Sequence, residues 1–135
     1  FHTLFFTDFY LETTEGSVGE QDFHRKRPQF FRDYEELQDR PQQLLYERST
    51  VRYYVQHCRQ KSARVVTSET EQTLTAPCGF SRRNGSRAEL HVYSIRHIQH
   101  HAAQLSLRLR LSTGDGVPWI ESGWQDDHPA AKNAN

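Results

Sequence analysis

Helical spacing between Ser86 and about Leu111 constrains the fold of this chain more than any other feature. Ser86-Arg87-Ala88-Glu89 is a capping box, in which Ser86 and Glu89 reciprocally satisfy free backbone donors at a helix start. Ile95, Ile98, Ala102, Leu105 and Leu109 then recur at steps of three and four as one apolar stripe. Ser94, His97, His101, Gln104 and Arg108 form the adjacent stripe. Thr113-Gly114-Asp115-Gly116 stops the helix. Within it, Arg96-His97-Ile98-Gln99-His100-His101-Ala102-Ala103-Gln104 sets two histidines four residues apart. Side chains so spaced stand one above the other with Cβ atoms about 5–6 Å apart. Two imidazoles can therefore converge on one cation through bonds of roughly 2.0–2.1 Å. A third ligand must come from elsewhere in the chain.

Two further helices are expected. One starts near Ser49 or Thr50 and continues to about Val66, with Val51, Tyr54, Val55, Cys58, Ser62 and Val65 inward and Arg52, Arg59 and Lys61 on the polar face. The other is the opening segment, Phe1 to Leu11, ending around Thr13 to Gly16, on which His2, Phe5, Phe6 and Phe9 share a face. Ser17 to Arg48 is long for a bare loop, and its aromatic residues predict packing across the helices, with a short helical turn around Asp33 to Leu37. Thr67 to Gly85 reads as a second connection with turn chemistry at Asn84-Gly85, and the tail from about Gly123 as frayed.

The 135 residues suit a single domain. A hydrophobic fraction of 35% and a mean hydropathy of −0.87 are low for a compact domain. Eight Phe, six Tyr and two Trp nevertheless supply bulky core material. Seventeen basic residues balance seventeen acidic ones, so no overall field favours nucleic acid or an anionic membrane. No apolar run is long enough to span a bilayer, and the opening segment lacks the basic flank of a signal peptide, so a cytoplasmic setting is expected. Cys58 and Cys78 form no C-x-x-C and are expected as reduced, buried thiols. The chain contains no Met and opens on an uncapped aromatic helix, which predicts that a preceding segment is missing.

The zinc-protease pattern His-Glu-x-x-His is excluded in form, because Ile98 stands where the general-base Glu would be. There is no repeated Glu-x-x-His of a di-iron bundle, so one metal ion is expected rather than two. His100 falls about a quarter turn off the ligand face. His24, His57, His91 and His128 have no partner at ligand spacing and read as solvated or capping residues. Arg25-Lys26-Arg27 and Arg82-Arg83 read as solvated loop charge.

The stretch from Arg96 to Leu105 resembles the last-helix signature of the DinB-like, YfiT-like superfamily of metalloenzymes, and His2 to Leu11 resembles its second helix. The resemblance extends through Leu45 to Ala63 as a third helix and to Pro118-Trp119 after the last. It implies an all-α, up-and-down four-helix bundle whose first helix is missing from this chain, with His2, His97 and His101 as ligands of one divalent ion. Two histidines from one helix and one from another give three neutral nitrogens and leave a position for water or substrate, a catalytic pattern. Imidazole suits Zn, Ni and Fe alike. Gln104 is a candidate to orient a ligand or bound water, and Phe6 and Phe9, with Phe5, to form an apolar pocket wall beside His2.

The resemblance further implies a small-molecule substrate and a thiol-dependent transferase or isomerase using a low-molecular-weight thiol such as mycothiol or bacillithiol. It admits a homodimer and implies neither nucleic acid nor membrane as partner. The alternative is a non-catalytic, metal-binding or stress-related helical bundle. Nucleic-acid binding, suggested only by the family's DNA-damage-inducible name, is opposed by the neutral charge.

Overall fold

The computed structural model describes residues 1–28 and 45–119. The turn expected around Asp33 to Leu37 and the tail from Gly123 lie outside them. The described elements are α1 (His2–Tyr10), a 3₁₀ turn (Ser17–Glu20), α2 (Asp22–Arg25), α3 (Arg48–Ser68), α4 (Glu71–Thr75) and α5 (Arg87–Thr113). Among the described residues there is no strand, only an isolated bridge between Pro77 and Ser86, and the fold class is all-α. The chain divides into two compact units, Phe1–His101 and Ala102–Asn135. In the second unit Gly114, at φ +80°, closes the end of α5 by donating its N–H to the Arg110 carbonyl at 2.9 Å.

The capping box that opens α5 is formed as read: Glu89 accepts the Ser86 N–H at 2.7 Å, and Ser86 Oγ accepts the Glu89 N–H at 3.2 Å. A second box, between Thr70 and Thr73, starts α4 inside the stretch read as a plain connection. It lacks the Glu or Gln that usually marks such a box, since a Thr hydroxyl serves instead.

In the first unit the core is built where α1 packs on α3. Phe5 (0% exposed), Phe9 and Tyr10 from α1 meet Tyr54 and Cys58 from α3. Phe80, from the loop before α5, closes the cluster with edge-on contacts to Phe9 and Tyr10 at centroid distances of 5.0 and 5.3 Å. Cys58 and Cys78 are both buried and free, and burial raises the Cys58 thiol well above its ordinary range.

Three expectations about helix faces are corrected. Lys61 is buried, not on the polar face of α3, because it follows Tyr54 and Cys58 at helical spacing and its ammonium is neutralised in place. Val55, read as inward, is exposed. The apolar stripe of α5 is exposed at Ile95, Ile98, Leu105 and Leu109. In the first unit α5 instead turns inward the face carrying Arg87, Leu90, Tyr93, His97 and His101. Ring contacts and hydrogen bonds to α1 orient that face, and hydrophobic periodicity does not register them.

Arg87 is the main tie between α1 and α5. An α-helix ends with unsatisfied carbonyls, and the buried Arg87 guanidinium donates to those of Tyr10 (2.8 Å), Leu11 (2.8 Å) and Glu12 (2.6 Å). Its Nε pairs with Glu69 at 2.9 Å, and His91 reaches the same carboxylate at 2.9 Å. Burial alone would raise the pKa of Glu69, but Thr73, His91 and Arg87 together hold it down at about 2. Arg87→Met should therefore cost about 2–4 kcal/mol, and Arg87→Lys should recover little, since a point charge cannot serve three carbonyls and a carboxylate at once. Urea unfolding of the three proteins measures this, and a lysine variant as stable as wild type would contradict it.

Gly79 holds the Phe80 loop against the end of α1. Its φ is +83°, and a Cβ there would lie 2.1 Å from the Thr13 carbonyl oxygen. Gly79→Ala combines backbone strain with a backbone clash, so a loss of about 2–3 kcal/mol is expected. A thermal midpoint unchanged from wild type would rule this out.

Candidate metal centre

The Arg87 clamp decides which residues of α1 and α5 meet. It joins the end of α1 to the start of α5, so the two helices run antiparallel. At about 1.5 Å per residue, the rise from Tyr10 back to His2 is about 12 Å and that from Arg87 to His97 about 15 Å. His2 therefore arrives beside His97 and His101.

The three imidazoles converge. One candidate ligand atom from each lies within 4.8 Å of the others, with His2 exposed and His97 and His101 half-buried. Ring centroids are 5.4 Å apart for His2 and His97, 5.2 Å for His2 and His101, and 4.6 Å for His97 and His101. The Nε2 atoms of His97 and His101 are 3.1 Å apart. Two nitrogens bound to one tetrahedral ion at about 2.0–2.1 Å would stand roughly 3.3 Å apart, so this pair is set at ligand spacing. His2 would need to close by up to about 1.5 Å from that 4.8 Å limit, within reach of a rotation of an exposed side chain.

Burial lowers the pKa of His97 first, and the neighbouring His101, His2, His100 and Arg83 lower it further, to about 4. His2 is lowered too, by burial and then by His101. Neighbouring imidazoles disfavour a proton on His97 and on His2. At neutral pH His97 thus presents an unprotonated nitrogen, the form that coordinates a cation.

A cavity of about 400 Å³ adjoins the cluster, with His2 and His97 in its lining. Phe6 and Phe9 line it as well, together with Tyr10, Phe80, Tyr93, Glu15, Arg82 and Arg83. Phe6 stands edge-on to both His2 (4.8 Å) and His97 (5.8 Å). Phe5 belongs wholly to the core. Gln104 lies in the second unit and is exposed, and His100 is exposed as expected. No family model, no curated protein and no solved structure matches this chain.

Several polar residues behave differently from their sequence reading. His24, expected to be solvated or capping, is 2% exposed and bonded to Asp8 at 2.6 Å. His57 is half-buried against the same carboxylate at 3.4 Å and stacks on Phe23 at 4.0 Å. His91 is engaged by Glu69. Arg83 is not solvated loop charge: it is half-buried, and its guanidinium lies 3.9 Å above the Tyr93 ring. A usable signal for the first of these was Asp8 itself. An acidic residue between Phe5, Phe6, Phe9 and Tyr10 is either exposed or paired.

Proposed function

We propose that this chain is a divalent-metal-dependent enzyme of the DinB-like kind, a four-helix bundle holding one ion on His2, His97 and His101 and acting on a small molecule in the adjoining cavity. The observation that carries this reading is the convergence of three histidine nitrogens within 4.8 Å of one another at the edge of an aromatic-walled cavity. Zinc, nickel and iron all suit three imidazoles. A bound ion would supply Lewis acidity, lowering the pKa of a low-molecular-weight thiol so that thiolate is available near neutral pH.

The chain's own residues do the rest. His97, with its depressed basicity, stays unprotonated and so keeps its nitrogen free for coordination. Phe6 packs edge-on against His2 and His97 and gives the ligand rings an apolar neighbour. Phe9 and Phe80 present apolar surface on which a substrate body can shed water. The expected reaction class is thiol transfer or isomerisation, in a cytoplasmic protein that can form a homodimer. Among the described residues no helix is long and apolar enough to cross a membrane.

Metal analysis of protein purified without a polyhistidine tag is the deciding experiment, with thiol-transfer assays on wild type and His97→Ala. The expected result is close to one equivalent of metal per chain and activity that disappears with it. Full occupancy without thiol binding or transfer would favour a non-catalytic, fold-stabilising ion. Protein that takes up no metal when supplied with zinc, nickel and iron would overturn both readings.

A further inference from the structure

The cavity beside the three histidines contains a cation whose environment is incomplete. Arg83 sits in the loop before α5, held by the Cys78 N–H donating to the Gly85 carbonyl (3.0 Å) and by the Arg83 N–H donating to the Phe80 carbonyl (3.0 Å). Its guanidinium lies over Tyr93, and Nη2 donates to the hydroxyls of Tyr93 (2.7 Å) and Tyr10 (3.1 Å). Its Nε is enclosed with no hydrogen-bond partner. Among the described residues no carboxylate pairs with Arg83, whereas Arg87 four residues on has its donors engaged by Glu69 and three carbonyls. Glu15, the one carboxylate lining the cavity among the described residues, is taken by Ser81, whose N–H and Oγ donate to it at 2.6 and 2.7 Å. With Arg82 also in the lining, the cavity keeps a positive balance.

We infer that this cavity binds a small carboxylate with an apolar or aromatic body, the carboxylate pairing with Arg83 and the body lying on Phe6, Phe9 and Phe80. The inference rests on the reading of the cavity as the substrate site and names the substrate class. Three features support it. A half-buried guanidinium with no carboxylate partner among the described residues leaves its Nη1 to donate a charge-assisted hydrogen bond to a ligand carboxylate. The two tyrosine hydroxyls and the ring beneath fix the plane of the guanidinium in advance. Tyr93 also lies parallel to His97, with centroids 6.1 Å apart at 7°, so the ring that carries Arg83 adjoins the histidine cluster. A ligand anchored on Arg83 is thereby held next to the histidine cluster, and a volume of about 400 Å³ limits it to small molecules.

The test compares 3-phenylpropanoate with 3-phenylpropanamide, equal in shape and different in charge, by calorimetry on the full chain, both zinc-loaded and after chelation. Wild type should bind the carboxylate at least about tenfold more tightly than the amide in both states. Arg83→Gln should bring that ratio to near one without changing zinc stoichiometry, and Arg83→Lys should leave an intermediate ratio. Equal binding of the two probes by wild type overturns the inference, as does a preference that survives Arg83→Gln. A preference present only with zinc also overturns it, since the ion rather than Arg83 would then be the anchor. If Arg83→Gln fails to fold, the wild-type ratio in the chelated protein and the lysine variant decide. Zinc stoichiometry, read separately, reports on the metal centre itself, so failure of one reading is distinguishable from failure of the other.

Discussion

Replacing Asp8 with alanine is expected to destabilise the protein by about 3–5 kcal/mol, because it strips one of two carboxylates from a buried lysine and the acceptor from three further side chains. Asp8 is fully buried on α1. Its Oδ1 accepts from Lys61 Nζ at 2.5 Å and from Gln21 Nε2 at 3.3 Å, and its Oδ2 accepts from the Tyr54 hydroxyl at 3.0 Å and faces His24 Nε2 at 2.6 Å. Lys61 also donates to the Asp8 carbonyl at 2.8 Å and pairs with Glu12. One carboxylate thus joins α1, the segment around α2, and α3. Its removal leaves donors from the α2 segment and from α3 facing a void, and leaves Glu12 alone to balance the buried Lys61.

The pH dependence follows from the same contacts. Burial pushes the Asp8 pKa up, but His24, His57 and Lys61 more than reverse this and hold it far below the ordinary carboxylate range. A carboxylate with a depressed folded-state pKa contributes stability that is present above its unfolded value, about 3.9, and is lost as pH falls below it. Asp8→Asn should therefore be less stable than wild type at pH 7, with the gap narrowing below about pH 4. A double variant, Asp8→Leu with Lys61→Leu, should recover part of the loss because the buried ammonium is gone, and Glu12, which loses its partner, is only half-buried. Urea unfolding from pH 7 to pH 3 measures all of this. An Asp8→Ala protein within about 1 kcal/mol of wild type would show that the network does not hold the fold.

His97→Ala is expected to weaken divalent-metal binding by more than about 100-fold, since losing even an outer-sphere partner of a metal ligand commonly costs 10- to 100-fold. His97 is the middle of the cluster, with its Nε2 at 3.1 Å from that of His101 and its ring facing His2. Substitution leaves two imidazoles, one of them exposed. His100→Ala provides the contrast: it removes an exposed neighbour and should change affinity by less than about threefold. Competition against a chromophoric chelator at pH 7 gives both numbers. Equal losses in the two variants would mean that affinity reflects a general concentration of imidazoles and not a defined site.

The parts of this protein legible in the sequence are those set by interactions within a few residues. The Ser86 and Glu89 box depends on groups three positions apart, and it starts α5 where the spacing placed it. The His97 and His101 relation follows from the pitch of one helix, and the stop at Gly114 from backbone freedom at one residue. The face that α5 turns inward could not be read this way. Its apolar stripe is exposed, and the inward face is chosen by Arg87 gripping the end of α1.

Sequence alone therefore determined that α1, α3 and α5 form, where α5 starts and stops, and the pairing of two histidines, because hydrogen bonds along one helix repeat every few residues and leave a periodic trace; the short α2 and α4 and the end of α1 at Tyr10 escaped it. Only the tertiary structure decided that His2 meets that pair, that Arg83 lines the cavity, and that Asp8 holds Tyr54 and Lys61 from 46 and 53 residues away. Those contacts depend on how whole helices approach one another. A buried charge selects its partner by distance in space and by the scarcity of water around it, and neither is written in the spacing of residues along the chain.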